Sequence, residues 1–185
     1  RMEAVFPLVA EYKCAVIAIS NDESGISTDP KVRLEVARKI VKRAASYGIP
    51  PEDILVDPLV MPAGAVRGSG GAVVQLVRWI REELGCNTTC GASNVSFGLP
   101  DREAINATFM AMLIAAGMPS AITNPLKPEI KKAILAADML MGHDEDCMRW
   151  LKYQRQLARE AAAAAGGPTA TDERAARRAR REQAG

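Results

Sequence analysis

Four times along the chain, an apolar segment of strand length runs into a polar loop and then into a helical pattern. Residues 14–20 (CAVIAIS) are apolar and β-branched, the composition of a strand buried on both faces of a parallel sheet. They exit into Asn21, Asp22, Glu23, Ser24 and Gly25. Asp29 before Pro30 starts a helix whose apolar face is Ala37, Ile40, Val41 and Ala44, and Gly48, Pro50 and Pro51 end it. The second unit opens with Ile54, Leu55 and Val56, stops at Asp57-Pro58, and crosses a glycine-rich loop to a helix carrying Val73, Val74, Val77, Ile80 and Leu84. That loop, residues 63–71 around Arg67, matches neither the dinucleotide fingerprint nor the P-loop spacing and reads as a mobile connection.

The third unit, residues 87–106, concentrates the polar side chains. A short strand at Thr88, Thr89 and Cys90 passes through Gly91, Ala92 and Ser93 and delivers Asn94 and Ser96 into a loop. The loop turns at Gly98 and Pro100; Asp101 then reads as the N-cap of a helix using Ile105, Phe109, Met112 and Leu113, which ends near Gly117. A fourth strand at Ser120, Ala121, Ile122 and Thr123 reaches Asn124-Pro125 and a helix around Ile130, Ala133, Ile134 and Met141. Repeated units with short connections predict a parallel sheet with right-handed crossovers, either doubly wound or closed into a barrel. Polar residues after every strand suit a barrel mouth, where ligands bind at the carboxyl ends of the strands. A complete eight-stranded barrel takes about 250 residues, so four units supply half of one. The chain starts at Arg1, inside a helical pattern with Val5, Leu8 and Val9 on its apolar side, so an N-terminal truncation is expected.

A last helix is expected from about Asp144 through Met148, Leu151 and Tyr153 to the alanines at 161–165. Gly166, Gly167 and Pro168 break it, and the Arg-rich remainder, with interspersed acids, reads as a disordered tail over residues 166–185. The division expected is therefore residues 1–165 as barrel and 166–185 as tail.

A net charge of +2 and 4% aromatic residues give no electrostatic or stacking commitment to nucleic acid. No run is long and apolar enough for a membrane span, and no signal pattern opens the chain. Cys14, Cys86, Cys90 and Cys147 lack both a CxxC pair and the density of a disulfide scaffold, which fits reduced thiols in a cytoplasm. Cys86 and Cys90 form a C-x3-C pair without a second pair, and His143 is the only histidine, so no bound metal is expected. The same residues also have ordinary readings: Asp57 as a strand terminator, Asn94 as a turn residue and His143 as a surface residue at a helix start.

The string CGASNVSFGLPDREAIN, followed by Phe109, Met112 and then SAITNPL, resembles the pterin-binding methyltransferases that move the methyl group of methyltetrahydrofolate onto a corrinoid. That family includes the folate module of cobalamin-dependent methionine synthase. Residues 54–62 (ILVDPLVMP) resemble its sixth barrel strand, and the likeness runs from roughly Phe6 to Leu151. It implies an α/β fold, about strands 5–8 of a pterin-binding (β/α)8 TIM barrel. It also implies methyltetrahydrofolate as substrate, a partner protein carrying cobalamin or another corrinoid, and a homodimer for the complete protein. Carried over by position, Asp57 matches the aspartate that hydrogen-bonds the pterin, and Asn94 matches the asparagine that reaches the methyl-bearing N5. Gly91, Ser93, Ser96, Arg102 and Asn124 match substrate-contacting positions. A dihydropteroate synthase-like enzyme shares the barrel, but its Ser-Arg-Lys type of pattern is not evident; a non-catalytic folate-binding module is the alternative from another class.

Overall fold

The computed structural model describes residues 1–23 and 25–165, so the expected tail lies outside the described residues. The described residues form two compact units, Arg1–Met141 and a second that begins at Gly142. In the first, helix α1 (Met2–Tyr12) precedes β1 (Val16–Ile19), α2 (Pro30–Ala45), β2 (Ile54–Asp57) and α3 (Ser69–Trp79), which continues through a π turn. Then come β3 (Asn87–Thr88), a 3-10 turn (Ala92–Ser96), α4 (Arg102–Ala115) and α5 (Pro128–Leu140). The strands pair in the order β1-β2-β3, all parallel. The expected fourth strand is reduced to one parallel bridge between Gly91 and Ile122, closed by Ile122 N–H to Cys90 O at 2.8 Å and Ala92 N–H to Ile122 O at 3.1 Å.

The helices begin and end where local chemistry directs. Asp29 caps α2 by accepting from the Lys31 N–H at 2.8 Å, with Pro30 in the first turn. Gly117, at φ 92°, ends the α4 segment with the Met118 N–H returned to Leu113 O. Asp101 behaves otherwise than expected. It holds the N-cap position with a left-handed backbone and makes no capping hydrogen bond, so the turn geometry rather than its carboxylate sets the start of α4.

One face of the sheet is covered by helices. Ala18, Ile54 and Val56 pack with Leu34, Ala37, Ile40, Leu76 and Ile80 into a buried cluster with Phe6 and Val9. A second cluster, including Val73, Val77, Cys90, Val95, Phe109, Leu113 and Ile130, lies among α3, the 3-10 turn, α4 and α5. The opposite face is bare: Ile17, Ile19 and Ile122 are 56%, 48% and 65% exposed. The expectation of a first strand buried on both faces is thus corrected, because no helix in this unit reaches the side chains that alternate outward. Likewise Phe6 rather than Val5 and Leu8 joins Val9 in the core, and Met110 is buried while Met112 is exposed.

In the second unit, Asp144 accepts from the Arg149 and Trp150 N–H groups at 2.9 and 3.0 Å ahead of α6 (Met148–Ala164). These bonds outweigh burial and hold its carboxyl below the usual range. No helix among the described residues is long and apolar enough to cross a membrane.

Candidate active site

Parallel strands end their ladders on the same side, and the loops leaving them bring the polar residues together there. The register pairs Val56 with Thr88, and the alternation continued past the end of β3 places Asp57, Thr89 and Gly91 on the face opposite the helix-covered one, where Thr89 is nevertheless buried. Between the ends of β3 and the Ile122 bridge lies a cleft of about 500 Å³. Gly91, Ser93 and Asn94 line one side, and Ile122, Thr123, Asn124 and Pro125 line the other. Four of the seven expected site residues meet in it; Asp57, Ser96 and Arg102 are not part of its lining.

Asn94 is exposed on the 3-10 turn. A Cβ on Gly91 would come within 3.3 Å of the Asn94 Nδ2, so the glycine leaves room for that carboxamide. The turn is held from beneath by α4. Arg102 donates from Nε to Ser96 Oγ at 3.0 Å and from Nη2 to Ser93 O at 2.8 Å. Ser96 is fully buried, and its hydroxyl donates to Ser93 O at 3.1 Å. One turn along α4, the Asn106 Nδ2 stands 3.5 Å from Ser93 Oγ, a contact at the limit of hydrogen bonding. Among the described residues, Asn106 Oδ1 is buried without a partner, as is Thr123 Oγ1. Asn124 turns its own loop by accepting from the Leu126 N–H at 3.0 Å.

Asp57 lies at the end of β2, with Oδ1 accepting from the Leu59 N–H at 2.8 Å. Burial pushes its carboxyl above the usual aspartate value, and that one N–H only partly offsets the rise. Its backbone carbonyl accepts from the Ser20 N–H and hydroxyl. The glycine-rich loop that follows is tied down rather than loose: the Ala63 N–H donates to Val95 O at 2.9 Å, and Ser69 Oγ donates to Met61 O at 3.0 Å. The first of these bonds joins the Asp57 loop to the Asn94 turn.

Cys90 is fully buried, 3.7 Å from Met118 Sδ. Burial, and secondarily the Asp57 charge, push its thiol up to about 12, so it stays protonated near neutrality. Among the described residues, no three His, Cys, Asp or Glu side chains gather to hold a metal ion.

Sequence reasoning passed over Arg33 and Asn106. Arg33 shares the buried face of α2 with Ala37, Ile40 and Ala44, and Asn106 shares that of α4 with Phe109, Met110 and Leu113. A polar residue on an apolar stripe, near the start of the helix that follows a strand, was the available signal.

A family model described as "pterin binding enzyme" matches residues 1–124. Methylcorrinoid:tetrahydrofolate methyltransferase of Eubacterium limosum is 31% identical over 161 residues, covering 84% of this chain and 59% of that protein. Methionine synthases of Mycobacterium tuberculosis and Mycobacterium leprae are 29% and 30% identical over 135 residues, 69% of this chain and 11% of each enzyme. The chain thus spans about 59% of the length of the first relative and a smaller part of the others. The match over residues 1–124, which include the Asp57 loop and the Asn94 turn, makes this chain a member of the pterin-binding enzyme family.

Proposed function

We propose that the chain forms the folate-binding part of a methyltransferase working between N5 of tetrahydrofolate and a corrinoid carried by a partner protein. The observation that carries this reading is the convergence of Gly91, Ser93, Asn94 and Asn124 in one cleft, with Asp57 on the same sheet face. A parallel sheet with one helix-covered and one bare apolar face suits consecutive units of a (β/α)8 barrel, the bare face being its interior.

Asp57 is the contact for the N–H donors of the pterin edge, because a carboxylate makes charge-assisted bonds there. Gly91, Ser93 and Asn124 bound the ring. Asn94 reaches N5 and donates a hydrogen bond that strengthens as electron density builds on nitrogen while the methyl leaves. A carboxamide cannot transfer the proton itself, so the proton comes from solvent. Ser96, buried, shapes the turn. Arg102 holds that turn and keeps Nη1 without a hydrogen bond among the described residues, available to the substrate. The corrinoid supplies the cobalt centre that exchanges the methyl group. The name of the Eubacterium limosum relative gives methylcorrinoid as donor and tetrahydrofolate as acceptor. We assign the direction from methyltetrahydrofolate to corrinoid, and the same hydrogen bond serves the reverse.

The test is Asn94→Ala, followed by calorimetric binding of methyltetrahydrofolate and by methyl transfer to a corrinoid protein. Turnover should fall about 10²–10³-fold, the usual effect of removing one transition-state donor, while affinity changes little. Equal losses in both would refute the role.

A further inference from the structure

Leu59 has a positive φ of 60°, a left-handed backbone that a branched aliphatic side chain adopts only under constraint. It lies two residues beyond Asp57, and its N–H is the donor to Asp57 Oδ1. Every carbonyl from Asp57 to Leu59 is gripped by another element. Ser20 holds Asp57 O, and Arg33 Nη1 donates to Pro58 O at 3.0 Å and Leu59 O at 2.8 Å. The same guanidinium donates from Nε to Ser27 O and from Nη2 to Met61 Sδ. Arg33 is 3% exposed, and among the described residues no carboxylate pairs with it. A buried cation is costly to desolvate, and here backbone carbonyls rather than a counter-ion satisfy it.

We propose that Arg33 is the positioning residue of the pterin-contacting carboxylate: its fork fixes the left-handed turn at Leu59, and that turn aims Asp57. The proposal rests on the reading of Asp57 given above. Fork geometry, not charge, carries the effect. One ammonium group cannot reach Ser27 O on one side and the Pro58 and Leu59 carbonyls on the other, so Lys is no substitute.

The experiment compares the full chain with Arg33→Lys, Asp57→Asn and the double variant, by calorimetric titration with methyltetrahydrofolate and by amide hydrogen exchange. Arg33→Lys should weaken binding about tenfold or more. In the Asp57→Asn background it should cost less than about twofold, since the charge whose placement Arg33 sets is gone. Exchange at the Leu59 amide should be slow in the parent chain and faster in Arg33→Lys, with protection in α2 and β2 retained. Affinity within twofold of the parent, losses that multiply in the double variant, or protection lost throughout the unit would overturn the proposal. A Leu59 amide exchanging like a free loop amide in the parent chain would overturn it without any variant. A parent chain that does not bind the folate refutes the proposed function instead, and exchange alone then judges the hold of Arg33 on the turn.

Discussion

Asp57 sits where burial opposes its own ionisation. Its folded pKa is raised, so the group favours folding below the unfolded aspartate value of about 3.9, and that contribution is lost as pH rises through the folded pKa. Asp57→Asn keeps an acceptor for the Leu59 N–H while removing the charge. It should therefore melt higher than the parent at pH 7, with the difference shrinking as pH falls toward about 4; scanning calorimetry across that range checks the sign. Methyltetrahydrofolate affinity should fall about 10–100-fold, the scale of a lost charge-assisted bond. A residue that improves stability when removed yet weakens binding is retained for its ligand. Gly91 offers a second test at this scale. Its φ of −72° suits alanine, so the one obstacle is the 3.3 Å approach to Asn94 Nδ2. Gly91→Ala should leave the melting temperature nearly unchanged and lower turnover about tenfold by displacing the carboxamide. The sequence motif pointed to both residues as substrate contacts, and the geometry adds that Gly91 leaves room for the Asn94 carboxamide. A glycine's missing side chain has no visible neighbour until the chain is folded.

At the scale of elements, the repeated strand-loop-helix units were readable because apolar periodicity and the Asp-Pro, Gly and Pro boundaries are local signals. α2 and α3 bury the residues that periodicity selects, including Ala37, Ile40, Val73 and Val77. What failed depended on neighbours. Which stripe of α1 is buried is decided by the folded cluster it joins, where Phe6 meets the Tyr47 ring edge-on, so Phe6 wins over Leu8. The third and fourth strands shrink to two residues and a single bridge because the chain turns into loops almost as soon as it pairs. The hold of α4 on the Asn94 turn was equally hidden, since nothing in the spacing of Arg102 and Ser96 says that they bond. Arg102→Ala removes donors to Ser96 Oγ and Ser93 O. It should destabilise the chain by about 1–2 kcal/mol in urea unfolding, because water replaces the donors only in part. It should also lower turnover, whereas a side chain that merely touched substrate would leave stability alone.

Within the unit Arg1–Met141, the order β1-β2-β3 leaves β1 with no partner on its outer side among the described residues. Ile17 and Ile19 beside that edge, and Ile122 at the far side of the sheet beyond β3, are all substantially exposed. Apolar rows of this kind mark surfaces meant to be covered, and an unpaired parallel edge invites further strands. Strand periodicity could not reveal this, because an apolar residue facing a barrel interior and one facing a helix layer look the same in a sequence. If the face belongs to a barrel interior, the isolated chain should bind a hydrophobic dye such as ANS and run larger than a monomer in size-exclusion chromatography with light scattering. Ile17→Thr with Ile19→Thr should reduce both signals while leaving α2 and α3 folded, since neither side chain belongs to the helix-covered core. Joining the chain to segments that complete the parallel barrel should abolish dye binding without any substitution. Dye binding that persists in the completed protein would mean that the face is not the interior, and the sheet would then be an open one with its ligand cleft at the β3 edge.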